Sequence, residues 1–168
     1  MDVEFLDPLF EDGIKRRFWL KPIGFPKDHP DWDAKEFRTW TENQIEIHFA
    51  KNPVKIGLRD IIIAYRIHYS NLIYVAERLP NAEWNEEERR SAYSLRRWPH
   101  RMNARNLTPT FGGVWKRYSF EPFPLGKEHN VLHPGDPVHL GSILRGNDEA
   151  SIPRAFAETL IRLIRDAK

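Results

Sequence analysis

Cysteine is absent from the 168 residues of the sequence. Disulfide bonds, thiolate metal ligands and a cysteine nucleophile are therefore excluded, as is usual for proteins of a reducing compartment. No run of apolar residues approaches the roughly 20 that a membrane-spanning helix needs. The acidic residues 1–13 also lack the basic and apolar parts of a secretory signal. These absences predict a cytoplasmic protein that does not contact a membrane.

The common catalytic motifs are absent as well. The chain has no Walker loop, no GxGxxG dinucleotide loop, no GxSxG nucleophile elbow and no HExxH zinc motif. His129, His133 and His139 share a Pro/Gly-rich segment in which Asp136 is the only carboxylate near the later two histidines. Because a zinc site needs a tighter set of ligands, we expect neither a metal nor another cofactor. The sequence therefore predicts a binding domain and not an enzyme.

Positive charge is concentrated in one part of the chain. The net charge is only +2, yet residues 89–118 contain eight Lys or Arg and no Asp or Glu. Such a window produces a local positive field, and nucleic acids are frequent partners of such fields. A solvated face that balances acidic surface elsewhere is the alternative. The candidates for contacts with the phosphate backbone are Arg38, Arg96, Arg97, Arg101 and Arg105.

Two of the six tryptophans have polar and basic neighbours instead of aliphatic ones. Trp40 lies in the segment RTWTEN (38–43), and Trp98 lies in RRWPHR (96–101). An indole face stacks on an unstacked base, which contributes about 1–3 kcal/mol per base, while arginines hold the flanking phosphates. The alternative is that both rings are ordinary core residues.

The hydrophobic pattern predicts several strands. Residues 16–24 predict a first strand, with Phe18 and Leu20 on the side opposite Trp19. Two apolar runs within residues 54–79 predict a central hairpin that turns at Ser70-Asn71. Residues 98–107 predict a further strand that begins near a proline.

Two helices are expected beside these strands. For residues 33–50 both helical and strand spacings are present, and we favour a short helix capped by Thr41. A second helix is expected from Ser151, its N-cap, to Ala167. Its apolar stripe consists of Phe156, Leu160, Leu163 and Ile164. Together the elements predict an α+β domain.

The order of these segments resembles the EVE and YTH-type domains of the PUA-like superfamily. It runs from FWLK (18–21) through RTWTENQIEIHFA (38–50) to a hairpin, then WPHRMNARNL (98–107) and LGSILRG (140–146). In these families a Gly-Asp dipeptide begins the hairpin, followed by apolar residues and a tyrosine. Residues 57–65 (GLRDIIIAY) stand in its place, although two residues separate the glycine from the aspartate.

The resemblance implies a single domain over residues 1–168, with a core at about 16–167. Its fold is expected to be a small PUA-like twisted sheet or partly open β-barrel with peripheral helices. It also implies an aromatic cage for a modified base flipped out of its stack. Trp40 matches the first cage tryptophan and Trp98 is the candidate for the second, for which Trp84 and Tyr93 compete. The residues expected nearest the base are Trp40, Trp98, Tyr65, Asn43 and Ser70.

The sequence thus predicts a reader of modified bases, with DNA favoured and RNA the alternative substrate. Domains of this kind act as specificity modules of modification-dependent restriction systems, so a motor NTPase and a nuclease subunit are the expected partners. Two other classes stay open. One is a protein-interaction domain that uses tryptophan anchors, and the other is a small hydrolase whose site the motifs do not identify.

Overall fold

The computed structural model of the protein describes residues 13–23, 44–66, 71–80, 96–107, 143–144 and 149–166. Within these ranges six strands form one mixed sheet, and a helix packs against it. In chain order they are strands β1 (Phe18–Ile23), β2 (Gln44–Phe49), β3 (Ile61–Arg66), β4 (Asn71–Arg78), β5 (His100–Asn106) and β6 (Ala150–Ile152), and helix α1 (Arg154–Asp166).

The sheet has the strand order β2-β5-β4-β3-β1-β6 and curls into a half-barrel. β1 and β3 are parallel, whereas all other neighbouring strands are antiparallel. β1, β3 and β5 therefore begin at the same end of the sheet, where β2 and β4 finish. We call this the proximal end. The architecture agrees with the α+β, partly open barrel that the sequence predicts.

β3 is buried on both of its faces. Ile61 and Ile63 pack in the core beneath α1, whereas Ile62 and Ala64 pack in the core on the other face, and all four are fully buried. A continuous apolar run is typical of a strand covered on both sides. The predicted central position of the hairpin is therefore confirmed, as are the strands expected near residues 16–24 and 98–107.

The segment for which we favoured a helix is a strand over its described part, so this prediction was wrong for residues 44–49. Ile47 and Phe49 are buried in the core on the face opposite α1, while Glu46 and His48, which alternate with them, are partly exposed. Antiparallel pairing with β5 along its whole length stabilises this alternation. The period-two pattern prevailed over the helical one because β2 pairs with β5. This partner lies far along the chain, so the local spacing did not reveal it.

Ser151 is not a helix cap. It lies in β6 and pairs with Trp19 of β1, and α1 begins only at Arg154. The carbonyl oxygen of Pro153 accepts hydrogen bonds from the main-chain N–H groups of Phe156 (3.1 Å) and Ala157 (3.0 Å). The first turn is thus satisfied by Pro153, and the residues before it complete the sheet edge.

α1 lies across β1, β3 and β4. Phe156, Ala157, Leu160 and Ile161 are all fully buried against these strands. No helix within the described ranges is long and apolar enough to cross a membrane.

Replacing Leu160 with alanine is expected to lower the free energy of unfolding by about 2–5 kcal/mol, because a fully buried side chain leaves a cavity. Denaturant unfolding followed by circular dichroism measures the change. Arg162→Ala is the matched control, since Arg162 is exposed and pairs with Glu158 one turn away, an interaction worth about 0.3–0.5 kcal/mol. A Leu160→Ala protein with wild-type stability would contradict the packing of α1.

Candidate nucleic-acid interface

The carboxylate of Asp60 organises the proximal end of the sheet. Its Oδ1 accepts a hydrogen bond from the main-chain N–H of Arg17 at 2.9 Å. Its Oδ2 accepts from the indole Nε1 of Trp19 at 2.9 Å and from the main-chain N–H of Gly57 at 2.8 Å. The Arg17 guanidinium lies 3.5 Å from the same oxygen and stacks over the Trp19 ring. Because the carboxylate is only 5% exposed, these donors replace its water.

The loop between β2 and β3, residues 50–60, is held in place by two arginines from outside it. The guanidinium of Arg17 donates to the carbonyl oxygen of Lys55, and that of Arg78 donates to the carbonyl oxygen of Ile56. Turns within the loop occupy three further carbonyl oxygens, those of Asn52, Pro53 and Gly57. These five carbonyl oxygens are therefore occupied by donors of the protein itself.

The outer surface of this loop combines basic and aliphatic side chains. Lys51, Lys55 and Arg59 are exposed. Val54 and Leu58 are exposed as well, at 76% and 58% of their surface. The only acidic residue of the loop is Asp60, whose charge lies inside. The loop thus presents positive charge outward.

Arg59 has a φ of 65°, the left-handed conformation that favours glycine. For a residue with a Cβ this conformation costs roughly 1–2 kcal/mol. It is held by hydrogen bonds on either side: the N–H of Arg59 donates to the carbonyl oxygen of Arg78, and the N–H of Arg78 donates back to the carbonyl oxygen of Asp60. The conformation directs the Arg59 side chain away from the sheet, where it is exposed.

A second buried carboxylate, Glu77 on β4, joins two distant arginines. Its Oε2 lies 2.9 Å from Arg16 and its Oε1 lies 2.9 Å from Arg105. The side chains of Arg16 and Glu77 are 3% and 4% exposed, so this pair is part of the fold. Removal of one partner from such a pair leaves an uncompensated buried charge, which is strongly destabilising.

Two arginines predicted to contact phosphate are close to carboxylates from neighbouring strands. Arg105 pairs with Glu77, and Arg101 lies 4.0 Å from Glu46 of β2. The window 89–118 lacks acids along the chain, but the sheet brings acids to it. The unbalanced positive charge on β5 is therefore smaller than its sequence suggests. The phosphate-binding role of both residues stays a prediction.

Trp98 lies directly before β5 with one face near a guanidinium. The Cζ atom of Arg97 is 5.6 Å from the centre of the indole ring, within the range of a cation–π contact. Trp98 is half-buried, whereas Arg96 and Arg97 are exposed. The three residues therefore form a partly open aromatic and basic cluster at the proximal end, which we call the Trp98 cluster.

Tyr65 lies in the core beneath α1, where it is 4% exposed. Loss of solvation raises the pKa of its hydroxyl to about 12, which disfavours the charged form. Its packing accounts for its burial without a ligand.

The strand register separates Tyr65 from Trp98. Arg105, Glu77 and Ile61 lie level across β5, β4 and β3. Trp98 precedes Arg105 by seven positions at the proximal end, whereas Tyr65 follows Ile61 by four positions toward the opposite end. The two side chains that we expected in one pocket are therefore not brought together.

Several residues singled out in the sequence lie outside the described residues. They include the first cage tryptophan, two polar residues expected at its base and one arginine. These are Trp40, Asn43, Ser70 and Arg38, together with Trp84, Tyr93, His129, His133 and His139.

Sequence reasoning missed the roles of Asp60, Glu77 and Arg17. A signal existed for the two acids, because each directly adjoins or lies within an apolar strand, where an unpaired charge is too costly to bury. Their partners carried no such signal, since Arg17 lies before β1 and Arg105 lies on β5, both distant in sequence from the acids. Within the described part of the chain, no group of three or more His, Cys, Asp or Glu side chains has an arrangement that suits a metal ion.

The chain matches no protein-family model, no curated protein and no solved structure.

Asp60→Ala is expected to destabilise the fold by about 3–5 kcal/mol, because the N–H groups of Trp19, Arg17 and Gly57 lose a buried charged acceptor. Denaturant unfolding measures this loss, and the fluorescence of Trp19 is expected to change with it. Glu158→Ala is the control, as it removes a carboxylate from a solvent-exposed pair. Equal stabilities of the two variants would contradict the organising role of Asp60.

Proposed function

We propose that the protein is a nucleic-acid-binding reader domain that recognises a modified base flipped out of its stack. The observation that carries this proposal is the Trp98 cluster. A half-buried indole lies beside two exposed arginines at the proximal end of the curled sheet. Aromatic plates for a base and guanidinium groups for the adjoining phosphates are the two parts that such recognition needs.

The contrast with Trp19 supports a binding role for Trp98. Trp19 is 4% exposed, packs in the core and uses its indole N–H on Asp60, so its surroundings account for it fully. Trp98 belongs to neither of the two buried core clusters of the described residues. A large aromatic ring that is partly exposed beside exposed cations is typical of an interface.

The conformation of Arg59 supports the resemblance to EVE and YTH-type domains. In those domains the glycine of the Gly-Asp dipeptide directly precedes the aspartate. Here the residue directly before Asp60 has a φ of 65°, the conformation for which glycine is the usual choice. The chain thus has a glycine-like backbone directly before the aspartate, although its own glycine, Gly57, lies two residues further back.

The ligand class follows from the same site. An indole beside exposed arginines favours a base within a nucleic-acid chain over a free base, because the guanidinium groups can bind the phosphates of the chain. DNA in a modification-dependent restriction system is the favoured substrate, and a motor NTPase and a nuclease subunit supply the chemistry there. Trp40 is the proposed opposing plate. Tyr65 is left out of the pocket because it lies in the core beneath α1.

Trp98→Ala is expected to abolish any preference for modified over unmodified oligonucleotides while the fold persists. Competition binding with methylated, hydroxymethylated and unmodified DNA and RNA measures the preference, and circular dichroism checks the fold. Trp98→Phe is the matched control, because it retains a stacking plate and should retain part of the preference. A folded Trp98→Ala protein with undiminished preference would exclude the cage, and an unfolded one would assign Trp98 to the core.

The double variant Arg96→Ala, Arg97→Ala is expected to weaken binding similarly for every nucleic-acid sequence. Each lost phosphate contact should make the fall of log affinity with log salt less steep by about one unit on duplex DNA. Arg162→Ala removes one exposed positive charge from α1 and serves as the control. Wild-type affinity of the double variant at moderate salt would show that these arginines do not contact phosphate.

A further inference from the structure

The 50–60 loop lies at the same end of the sheet as the Trp98 cluster. β2 finishes at Phe49, which pairs with His100 at the start of β5. The loop then passes from β2, the edge strand, to β3, which is separated from it by β5 and β4. Both segments that flank this end, the loop and residues 96–99, therefore leave the sheet side by side.

Two exposed cations of the loop, Lys55 and Arg59, contribute positive charge to its outer surface. Among the residues that the structure describes, the ammonium of Lys55 and the guanidinium of Arg59 form no ion pair. Asp60 is withdrawn into the sheet by its own donors. A ligand that meets this surface therefore encounters the positive charges of Lys55 and Arg59, while the charge of Asp60 lies inside.

The outer surface of the loop presents the cationic donors of Lys55 and Arg59, whereas many main-chain acceptors of the loop are already occupied. Six of its main-chain carbonyl oxygens, including that of Asp60, accept hydrogen bonds from within the protein, two of them from the guanidinium groups of Arg17 and Arg78. The ligand that complements such a surface is an anion rich in acceptor oxygens, as phosphate is.

The loop is also rigidly held, so that little ordering is needed on binding. Its two ends are fixed by Asp60 and by the strands, and its middle rests on two arginines. Arg59 occupies a conformation better suited to glycine. A backbone strain that is maintained at an exposed cation is most often found at functional sites.

We infer that the outer surface of the 50–60 loop binds the sugar-phosphate backbone of nucleic acid through Lys55 and Arg59, and this rests on the proposed function. The loop extends the path of a strand whose flipped base contacts Trp98. A lipid surface is the less suitable ligand, because the loop exposes two aliphatic side chains and no aromatic one, whereas loops that insert at a membrane interface commonly carry Trp or Phe.

The test uses Lys55→Ala and Arg59→Gly, singly and combined, in the full chain. Arg59→Gly keeps the main-chain N–H that donates to Arg78 and relieves the left-handed strain, so its melting temperature should equal or exceed that of the wild type. Its affinity for a labelled single-stranded DNA or RNA oligonucleotide should nevertheless fall. A gain in stability combined with a loss of binding separates a contact from a structural role.

Fluorescence anisotropy over a range of salt concentrations measures the binding. The combined variant should make the salt dependence on a single strand less steep by about 1.4 units, roughly 0.7 for each cation, and should keep the preference for the modified base. Leu58→Ser is the neutral control within the loop, and Arg162→Ala is the control for loss of charge elsewhere. Both controls should retain the wild-type slope.

Each other outcome has a definite meaning. If the wild type binds nucleic acid and the combined variant has the same salt slope, the loop contact is overturned and the proposed function stands. If the wild type binds no oligonucleotide at any salt concentration, both proposals fall. Binding to polyglutamate as tight as to nucleic acid, or Leu58-dependent binding to anionic phospholipid vesicles alone, would also overturn the loop contact.

Discussion

The buried carboxylate of Asp60 links three parts of the chain at one end of the sheet. It binds the segment before β1 through Arg17, the body of β1 through Trp19 and the loop before β3 through Gly57. β1 and β3 are parallel neighbours, and parallel strands cannot be joined by a tight turn. A side chain that fixes their beginnings to the same loop therefore stabilises a pairing that local chain geometry does not.

The burial of carboxylates beside arginine partners also determines which charges lie inside the protein and which are exposed. Asp60 and Glu77 are buried with arginine partners, whereas Lys55, Arg59, Arg96 and Arg97 are exposed. Although the net charge of the chain is only +2, two acids of the described residues are thus enclosed while these four basic side chains are exposed. Such a separation attracts a polyanion to one surface without making the whole molecule a polycation.

Much of the fold was predictable from local pattern, and part of the candidate site was. The apolar run of β3, the hairpin to β4 and the amphipathic stripe of α1 each identify an element by periodicity alone. The Trp98 cluster was identified from its composition, since an indole among arginines stands out in any sequence. β2 was misassigned, because its choice between two periods depended on β5, which pairs with it from more than fifty residues away.

The sequence by itself determined the secondary-structure class, most strands and the presence of a basic window, because each depends on neighbouring residues. Only the tertiary structure decided which cations lie beside carboxylates. Arg101 and Arg105 come close to carboxylates on adjacent strands, and no spacing along the chain reveals this. It also decided that Tyr65 belongs to the core beneath α1 while Trp98 lies at the proximal end. The reason is physical. Strand register and ion pairing connect residues that are distant in sequence, and both are fixed only when the strands of the sheet have paired.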